Sequence, residues 1–453
     1  MTISRNELRQ AAGEDRSLLR LVAIALVAGA IIGCVGAIFR VALEHADRLR
    51  DTMIAWAHGH AILGFLIIVG TCVIAASVAA WMVRRFSPHA SGSGIPHVEA
   101  VLHEQIPPAP FSLVPVKFFA GLLAIGSGLA LGREGPTVQM GAGIAVFAAR
   151  ICRLDWADCR VLLAAGAGAG LATAFNAPIA GVVFVLEELI HRFDRRVAVG
   201  TLAMLATAIP IARLFLGDAS DFRVAPLSYP DAEAVPLFFV LGAVAGLLAI
   251  AYNRTLLAAL AVRDRFAKSP VELRAGLIGA SVGILAWFAP ELVGGGDQIT
   301  QRALIGYESP AIVALAFLIR FGLGPLSYAA GTPGGLFAPL LVLGAQSGLL
   351  FGAACRHLLP ALNIQPEAFA LVGMAAFFTG VVRSPLTGIV LVAEMTANVT
   401  MLLPMLGACL VAMLLPMLLR DPPIYDSLRE HTLRLEQQIR ERCGACSKAP
   451  DNK

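Results

Sequence analysis

The chain has 453 residues, 57% of them hydrophobic and 15% charged, with a net charge of +4, and its mean hydropathy is +0.76. That balance lies outside the range of soluble globular domains, and a small, dispersed charge argues against a nucleic-acid-binding surface. Apolar stretches recur from Leu21 to Leu419, which excludes a single anchor and implies a polytopic bundle in lipid.

The first apolar run, 21–43, follows Arg5, Arg9, Arg16 and Arg20, and no A-x-A-like site ends it; it reads as a retained helix, not a signal peptide. Later runs are continuous and rich in Ala, Leu, Gly and Val, the composition of helices in lipid and not of alternating barrel strands, so the fold class is all-α. The pattern predicts helices over 21–43, 61–83, 114–130, 137–149, 160–175, 179–190, 199–215, 236–261, 275–288, 311–323, 337–354, 368–381, 386–394 and 402–419. A bilayer core needs about 20 helical residues, so runs such as 179–190 must stop partway or lie tilted inside the bundle. Short hydrophobic segments interrupted by Gly and Pro in both halves are the mark of broken helices in a transporter built from inverted repeats.

Subtraction supports such a repeat. Pro178, Gly181 and Glu187 match Pro385, Gly388 and Glu394 at a separation of 207 positions, which Gly166 and Gly373 share. Gly132, Pro136 and Gly141 match Gly335, Pro339 and Gly344 at a separation of 203. Two near-equal offsets in matching order predict a duplicated architecture. The expected organisation is a cytoplasmic N-terminus over 1–17, repeat one over 18–217 and an inter-repeat loop over 218–233. Repeat two covers 234–419, and 420–453 is a short cytoplasmic tail without room for a regulatory domain. Arginines flank the first helix and recur at Arg420, Arg429, Arg434, Arg440 and Arg442, which places both termini in the cytoplasm.

Eight cysteines are present, most of them inside apolar segments, where Cys acts as a small hydrophobe. Cys443 and Cys446 have C-x-x-C spacing, but no second pair or His cluster completes a zinc site, and neither metal nor cofactor is expected. There is no H-E-x-x-H, no P-loop and no identifiable Ser/His/Asp set, so an enzyme is not expected.

Three Gly-rich, Pro-marked turns stand at helix starts: GSGIPHVEA from Gly92, GREGPTVQMG from Gly132 and GGLFAPLLVLG from Gly334. Each exposes backbone N–H groups at a partly positive helix end, and glycine lets an ion approach the backbone, so converging ends can hold an anion without a full cation. Taken singly, such turns merely punctuate helices. Glu134, inside GREGP, is a carboxylate at membrane depth, which by default marks an ion or proton path. The competing reading is an acid neutralised by Arg133 alone.

These segments resemble, in order and spacing, the selectivity motifs of the CLC chloride channel and transporter family, over about residues 20–430. The resemblance implies the CLC fold of two inverted-topology repeats and a secondary-active exchange of chloride for protons, in the manner of the bacterial antiporters; the alternative is a passive chloride-selective channel of the same fold. It implies that Ser93 donates its hydroxyl to the central chloride, that the backbone N–H groups of Leu336 and Phe337 contact the same ion, and that the Tyr425 hydroxyl donates at the inner gate. From position alone, Ser93 would be an ordinary N-cap and Tyr425 an interfacial aromatic. Glu134 is then the external gate and proton acceptor, and Glu188 the internal proton-transfer acid, which position alone would read as a solvated helix end. The resemblance further implies a homodimer with one pore per subunit, meeting near 199–215 and 402–419; a tail without room for a regulatory domain points to a bacterial inner membrane. His97 and His103 stand where acids are expected in close bacterial exchangers; His97 reads as a surface residue, and Glu99 and Lys117 as a pair.

Overall fold

The computed structural model describes the chain from Arg5 to Cys446 apart from Tyr307; residues 1–4 and 447–453, and the side chains of Cys443 and Cys446, lie outside the described residues. Seventeen α-helices and no strand occur among the described residues. The first eight are α1 (Arg5–Ala57), α2 (Ala61–Phe86), α3 (Ile95–Leu102), α4 (Leu113–Gly126), α5 (Glu134–Ile151), α6 (Trp156–Phe175), α7 (Pro178–Phe184) and α8 (Arg195–Leu216). The next eight are α9 (Val235–Arg265), α10 (Val271–Phe288), α11 (Asp297–Ile305), α12 (Pro310–Tyr328), α13 (Phe337–Leu358), α14 (Pro366–Val382), α15 (Pro385–Thr396) and α16 (Leu402–Leu418), and α17 (Ile424–Cys446) follows.

Every predicted apolar run lies within or across one of these helices, most of which extend further, because backbone hydrogen bonding continues past the point where side chains turn polar. The short run expected at 179–190 is indeed broken: α7 gives way at Val185 to a π-helical turn reaching Leu189. Three helices escaped the pattern. The eight residues of α3 are too short to register as an apolar run, and only the GSGIP turn before them marks a helix start. The nine residues of α11 are too short and too polar to register as apolar, and α17 is a helix where only a polar tail was expected.

Helices α1–α8 and α9–α16 correspond one to one. The tightest packings within each set are equivalent: α5 against α6 and α13 against α14, α1 against α8 and α9 against α16. Glycine permits them. A Cβ on Gly166 would lie 2.5 Å from the Gly141 carbonyl oxygen, and one on Gly344 equally close to that of Gly373, so the backbones meet as small-residue interfaces in lipid do. The candidate span in α6 is 89% buried and that in α13 78%, against 33% for α10 and 39% for α8. The paired helices α5/α6 and α13/α14 therefore form the inside of the bundle, and α2, α8, α10 and α16 show apolar side chains outward.

Seven helical stretches among the described residues are long and apolar enough to cross a membrane by length and composition. Aromatics mark both ends of α2. Trp56 packs tilted against His60 at 4.2 Å and Trp287 against His58 at 4.3 Å at one end, and Trp81 meets Phe86 at 5.5 Å at the other. Twenty-six residues separate these belts, about 39 Å of helix, matching a bilayer with its headgroup regions.

The repeats lock together through carboxylates exchanged between them. Glu187 accepts the Leu386 and Thr387 amides at 3.0 and 2.6 Å and the Thr387 hydroxyl at 2.7 Å, at the start of α15. Glu394 accepts the Ile179 and Ala180 amides at 3.0 and 2.8 Å, at the start of α7. Donors and acceptors obey the same separation of 207 positions, so each repeat caps the broken helix of the other. Both helices begin with proline and have no side-chain cap of their own, which leaves their free N–H groups to these acids. Replacing Glu187 or Glu394 with Ala is expected to cost about 2–3 kcal/mol each and to lower the thermal unfolding midpoint in detergent for both variants. An unchanged midpoint would show that the caps carry no stability.

Candidate functional site

The GREGP and GGLFAP turns meet at their equivalent glycines. The Gly132 amide donates to the Gly335 carbonyl at 2.8 Å and the Gly335 amide to the Gly132 carbonyl at 2.7 Å, a two-residue antiparallel bridge. Reciprocal pairing of equivalent residues is what a two-fold relation between the repeats produces. It sets the starts of α5 and α13 side by side. A Cβ on Gly335 would lie 2.7 Å from the Gly135 amide nitrogen, and one on Gly135 2.5 Å from both the carbonyl and hydroxyl oxygens of Ser93. Glycine is thus required at both places for the three turns to converge.

Ser93 sits between Gly92 (φ 64°) and Gly94 (φ 89°), left-handed conformations that suit glycine. It does not cap α3 with its side chain; the expectation of an ordinary N-cap fails because its hydroxyl points elsewhere. That hydroxyl is buried and has no hydrogen-bond partner among the described residues, and the same is true of the Tyr425 hydroxyl. The Ser93 amide donates to the Tyr328 hydroxyl at 3.3 Å. Tyr425 lies in the first turn of α17 and is 1% exposed, not an interfacial aromatic. Its ring stacks on Phe337 at 6.2 Å and 24°. Phe337 in turn packs on Phe378 at 4.7 Å and Phe184 at 6.0 Å, while its backbone, with that of Leu336, forms the start of α13. Ser93, Leu336, Phe337 and Tyr425 are therefore assembled around one pair of helix starts. Two buried hydroxyl donors lacking an acceptor, beside a helix N-terminus, suit an anion.

Glu134 is the first residue of α5 and is 1% exposed. Its carboxylate accepts the Ala338 amide at 3.4 Å, so the acid lies at the start of α13, where an anion would be held. Arg133 is engaged elsewhere. It reaches Asp221 at 3.4 Å, Asp297 at 3.3 Å and the Ala174 carbonyl at 3.2 Å, while Asp221 also holds Arg40 at 2.8 Å. In the inter-repeat loop, burial raises the Asp221 carboxyl above its usual range against the pull of Arg40 and Arg133. Neutralisation of Glu134 by Arg133 alone does not describe this arrangement.

Glu188 follows α7 on the π-helical turn and is 6% exposed, not a solvated helix end. The Ser384 hydroxyl donates to its carboxylate. Nearby, Glu99 is 2% exposed and accepts from Arg429 at 3.4 Å, and Arg429 also pairs with Asp426 at 2.7 Å. The expected pairing of Glu99 with Lys117 is overturned. Lys117 donates to the carbonyls of Ala90 and Gly92 at 3.0 and 2.7 Å, holding the turn that carries Ser93. Arg320, in the equivalent place on α12, donates to the carbonyls of Leu292, Gly294 and Gly295 at 3.1, 2.6 and 2.8 Å. Gly294-Gly295-Gly296 is thus a fourth glycine turn, the counterpart of Gly92-Ser93-Gly94 at a separation of 202 positions, and extending the repeat alignment with a one-residue shift would have found it. The reading of His97 as a surface residue also fails: it is buried, beside His89 at a ring distance of 5.0 Å.

Two cavities approach this centre and share no lining residue. One of about 390 Å³ is lined by exposed Asp51 and Glu291 and by buried Glu134 and Ala338. The other, of about 470 Å³, is lined by Gly92, Gly94, Tyr328, Arg263 and His431. Ser93, Leu336, Phe337 and Tyr425 line neither cavity and are buried, an occluded arrangement.

The family model described as voltage gated chloride channel matches residues 74–416. H(+)/Cl(-) exchange transporters ClcA of Salmonella paratyphi B and Salmonella newport are 36% identical over 437 residues, covering 95% of this chain and 92% of each relative. A slow cyanobacterial Cl-/H+ antiporter has a similar structure, with TM-score 0.87 and 32% identity over 92% of this chain and 98% of that one. A CLC-type fluoride/proton antiporter shares the fold at TM-score 0.76 and 21% identity, over 91% of this chain and 96% of that one.

Replacing Gly135 with Ala would drive a methyl group against Ser93. If this centre holds an anion, the affinity for chloride measured by titration calorimetry is expected to weaken by about tenfold or more. Wild-type affinity in that variant would show that Ser93 and the start of α5 need not approach so closely.

Proposed function

The chain belongs to the voltage gated chloride channel (CLC) family and is a multi-pass membrane protein, and on that footing we propose that it exchanges chloride for protons across the membrane. The observation that carries the reading is the buried Glu134 carboxylate at the start of α13, bonded to the Ala338 amide. A single side chain there can block the anion path and accept a proton. While ionised it takes the place of an anion; once protonated it loses its attraction for the helix end, gives way to chloride and carries the proton with it.

Chloride would be held by the hydroxyls of Ser93 and Tyr425 and the backbone N–H groups of Leu336 and Phe337. Helix dipoles and neutral donors attract an anion without trapping it as a buried ammonium would, which favours passage. Glu188 would deliver protons from the cytoplasmic side. Its support is its burial and a setting of Glu99, Asp426 and Arg429 at the α17 face. No enzymatic chemistry enters this reading.

We place both termini and the α17 face in the cytoplasm of a bacterial inner membrane, with repeat one over 18–217 and repeat two over 234–419. The protein would act as a homodimer with one pore per subunit. Leu202, Leu214 and Phe215 of α8, and Leu403, Leu406 and Leu410 of α16, are exposed in the single chain, giving the apolar faces such a contact needs. Crosslinking or light scattering in detergent tests the dimer; a strictly monomeric species refutes it.

In proteoliposomes, an imposed chloride gradient should drive protons uphill. If it drives none, the protein is a passive chloride channel of the same fold. Glu134→Gln, a permanent mimic of the protonated acid, is expected to retain chloride flux, lose proton flux and lose dependence on external pH. Glu188→Gln should lose proton flux while chloride flux continues; proton pumping at the wild-type rate would remove Glu188 from the pathway.

A further inference from the structure

Adjacent glutamates at the end of α7 both reach the start of α15, in different ways. Glu187 takes the N–H groups of Leu386 and Thr387, which completes the capping of that helix. Glu188 takes the hydroxyl of Ser384, the residue just before α15, which is 2% exposed. Serine at this position ordinarily turns its oxygen onto its own helix. Ser384 makes no such bond.

The repeat supplies an internal control for the hydroxyl. The equivalent residue in the first half, 207 positions earlier, is Ala177. Its backbone adopts φ −122° and ψ 79°, against φ −112° and ψ 80° at Ser384. The same turn into the same proline-led helix therefore forms without a hydroxyl, and its helix is capped by the reciprocal acid, Glu394. Neither turn geometry nor capping accounts for serine in the second half. What the hydroxyl does is bind Glu188.

We propose that Ser384 is a positioning residue for proton transfer: its hydroxyl fixes the rotamer of the Glu188 carboxylate and favours the ionised form ready to accept a proton from the cytoplasm. This rests on the reading of Glu188 as the internal proton-transfer acid. A hydroxyl donated to a carboxylate stabilises the charged state. It also gives the buried acid an orientation that its other neighbours do not, since Arg429 is committed to Glu99 and Asp426. The groups that bear on Glu188 are Glu187 beside it, Glu99 on α3, and Asp426, Arg429 and Tyr425 on α17. All but Arg429 are acids or a phenol, so Ser384 is a neutral donor in an acid-rich setting. Asp426 is 44% exposed and connects that setting to water.

The test compares Ser384→Ala, Ser384→Thr and Glu188→Gln in the same proteoliposome assay, reading chloride and proton fluxes against inner pH. Ser384→Ala should assemble normally, as Ala177 does, and keep chloride flux within about twofold. Its proton-to-chloride ratio should fall, and the inner pH at half-maximal proton flux should move upward by about one unit, the effect of one lost hydrogen bond to a charged group. Ser384→Thr, which keeps the hydroxyl, should restore both. An unchanged ratio and pH profile in Ser384→Ala overturns the proposal, provided that Glu188→Gln abolishes proton flux. If Glu188→Gln leaves proton flux intact, the reading of Glu188 fails instead. A pH shift in Ser384→Ala that Thr does not rescue assigns the effect to packing and also overturns the proposal.

Discussion

The reciprocal pairing of Gly132 with Gly335 is the constraint on which the centre of this molecule depends. Two main-chain hydrogen bonds at 2.8 and 2.7 Å bring the starts of α5 and α13 together, each from a different repeat. An anion held by helix ends needs several of them aimed at one place, and one broken helix cannot supply that. The glycines at 92, 94, 135 and 335 then allow the third turn to close upon the pair. From this follow the burial of Ser93 and the reach of the Glu134 carboxylate to the Ala338 amide.

Charge is distributed according to the same logic. The buried cations Lys117 and Arg320 bind carbonyls of the glycine turns, and Arg133 is held by Asp221 and Asp297. Each cation thus serves to shape a turn or hold a loop. The place where the helix starts meet is left with hydroxyls and partial charges. A lone buried charge is costly to desolvate; Lys117 and Arg320 offset part of that cost by donating to several backbone carbonyls, which themselves need donors. The carboxylates Glu187 and Glu394 perform the converse task at N–H groups. Membrane proteins must satisfy backbone groups internally wherever a helix breaks at depth, and here the duplicated chain does so by exchange between halves.

Some of this is legible in the sequence. Hydropathy gave the helices of the bundle, because a lipid environment demands long apolar runs. The separations of 203 and 207 positions exposed the duplication, because Gly and Pro mark the breaks in both halves. The three converging glycine turns are visible for the same reason. Short polar α11 is not, since nine residues with Asp297, Gln298 and Arg302 among them carry no apolar signal. Nor does the sequence mark α17 as a helix, its burying face being set by Ile424, Tyr425 and Leu428 in an otherwise polar stretch.

The sequence by itself therefore determined the membrane class, the all-α repeat architecture and the residue types able to attract an anion and move a proton. Local chemistry and spacing suffice for those. The tertiary structure decided which groups meet. It separated Lys117 from Glu99, took Arg133 to Asp221 and Asp297, buried His97 and Tyr425, and placed Ser384 on Glu188. These contacts join residues distant in the chain, and their geometry depends on how two helical repeats rotate onto one another. No periodicity or spacing within either repeat contains that rotation; it exists only once the helices have packed.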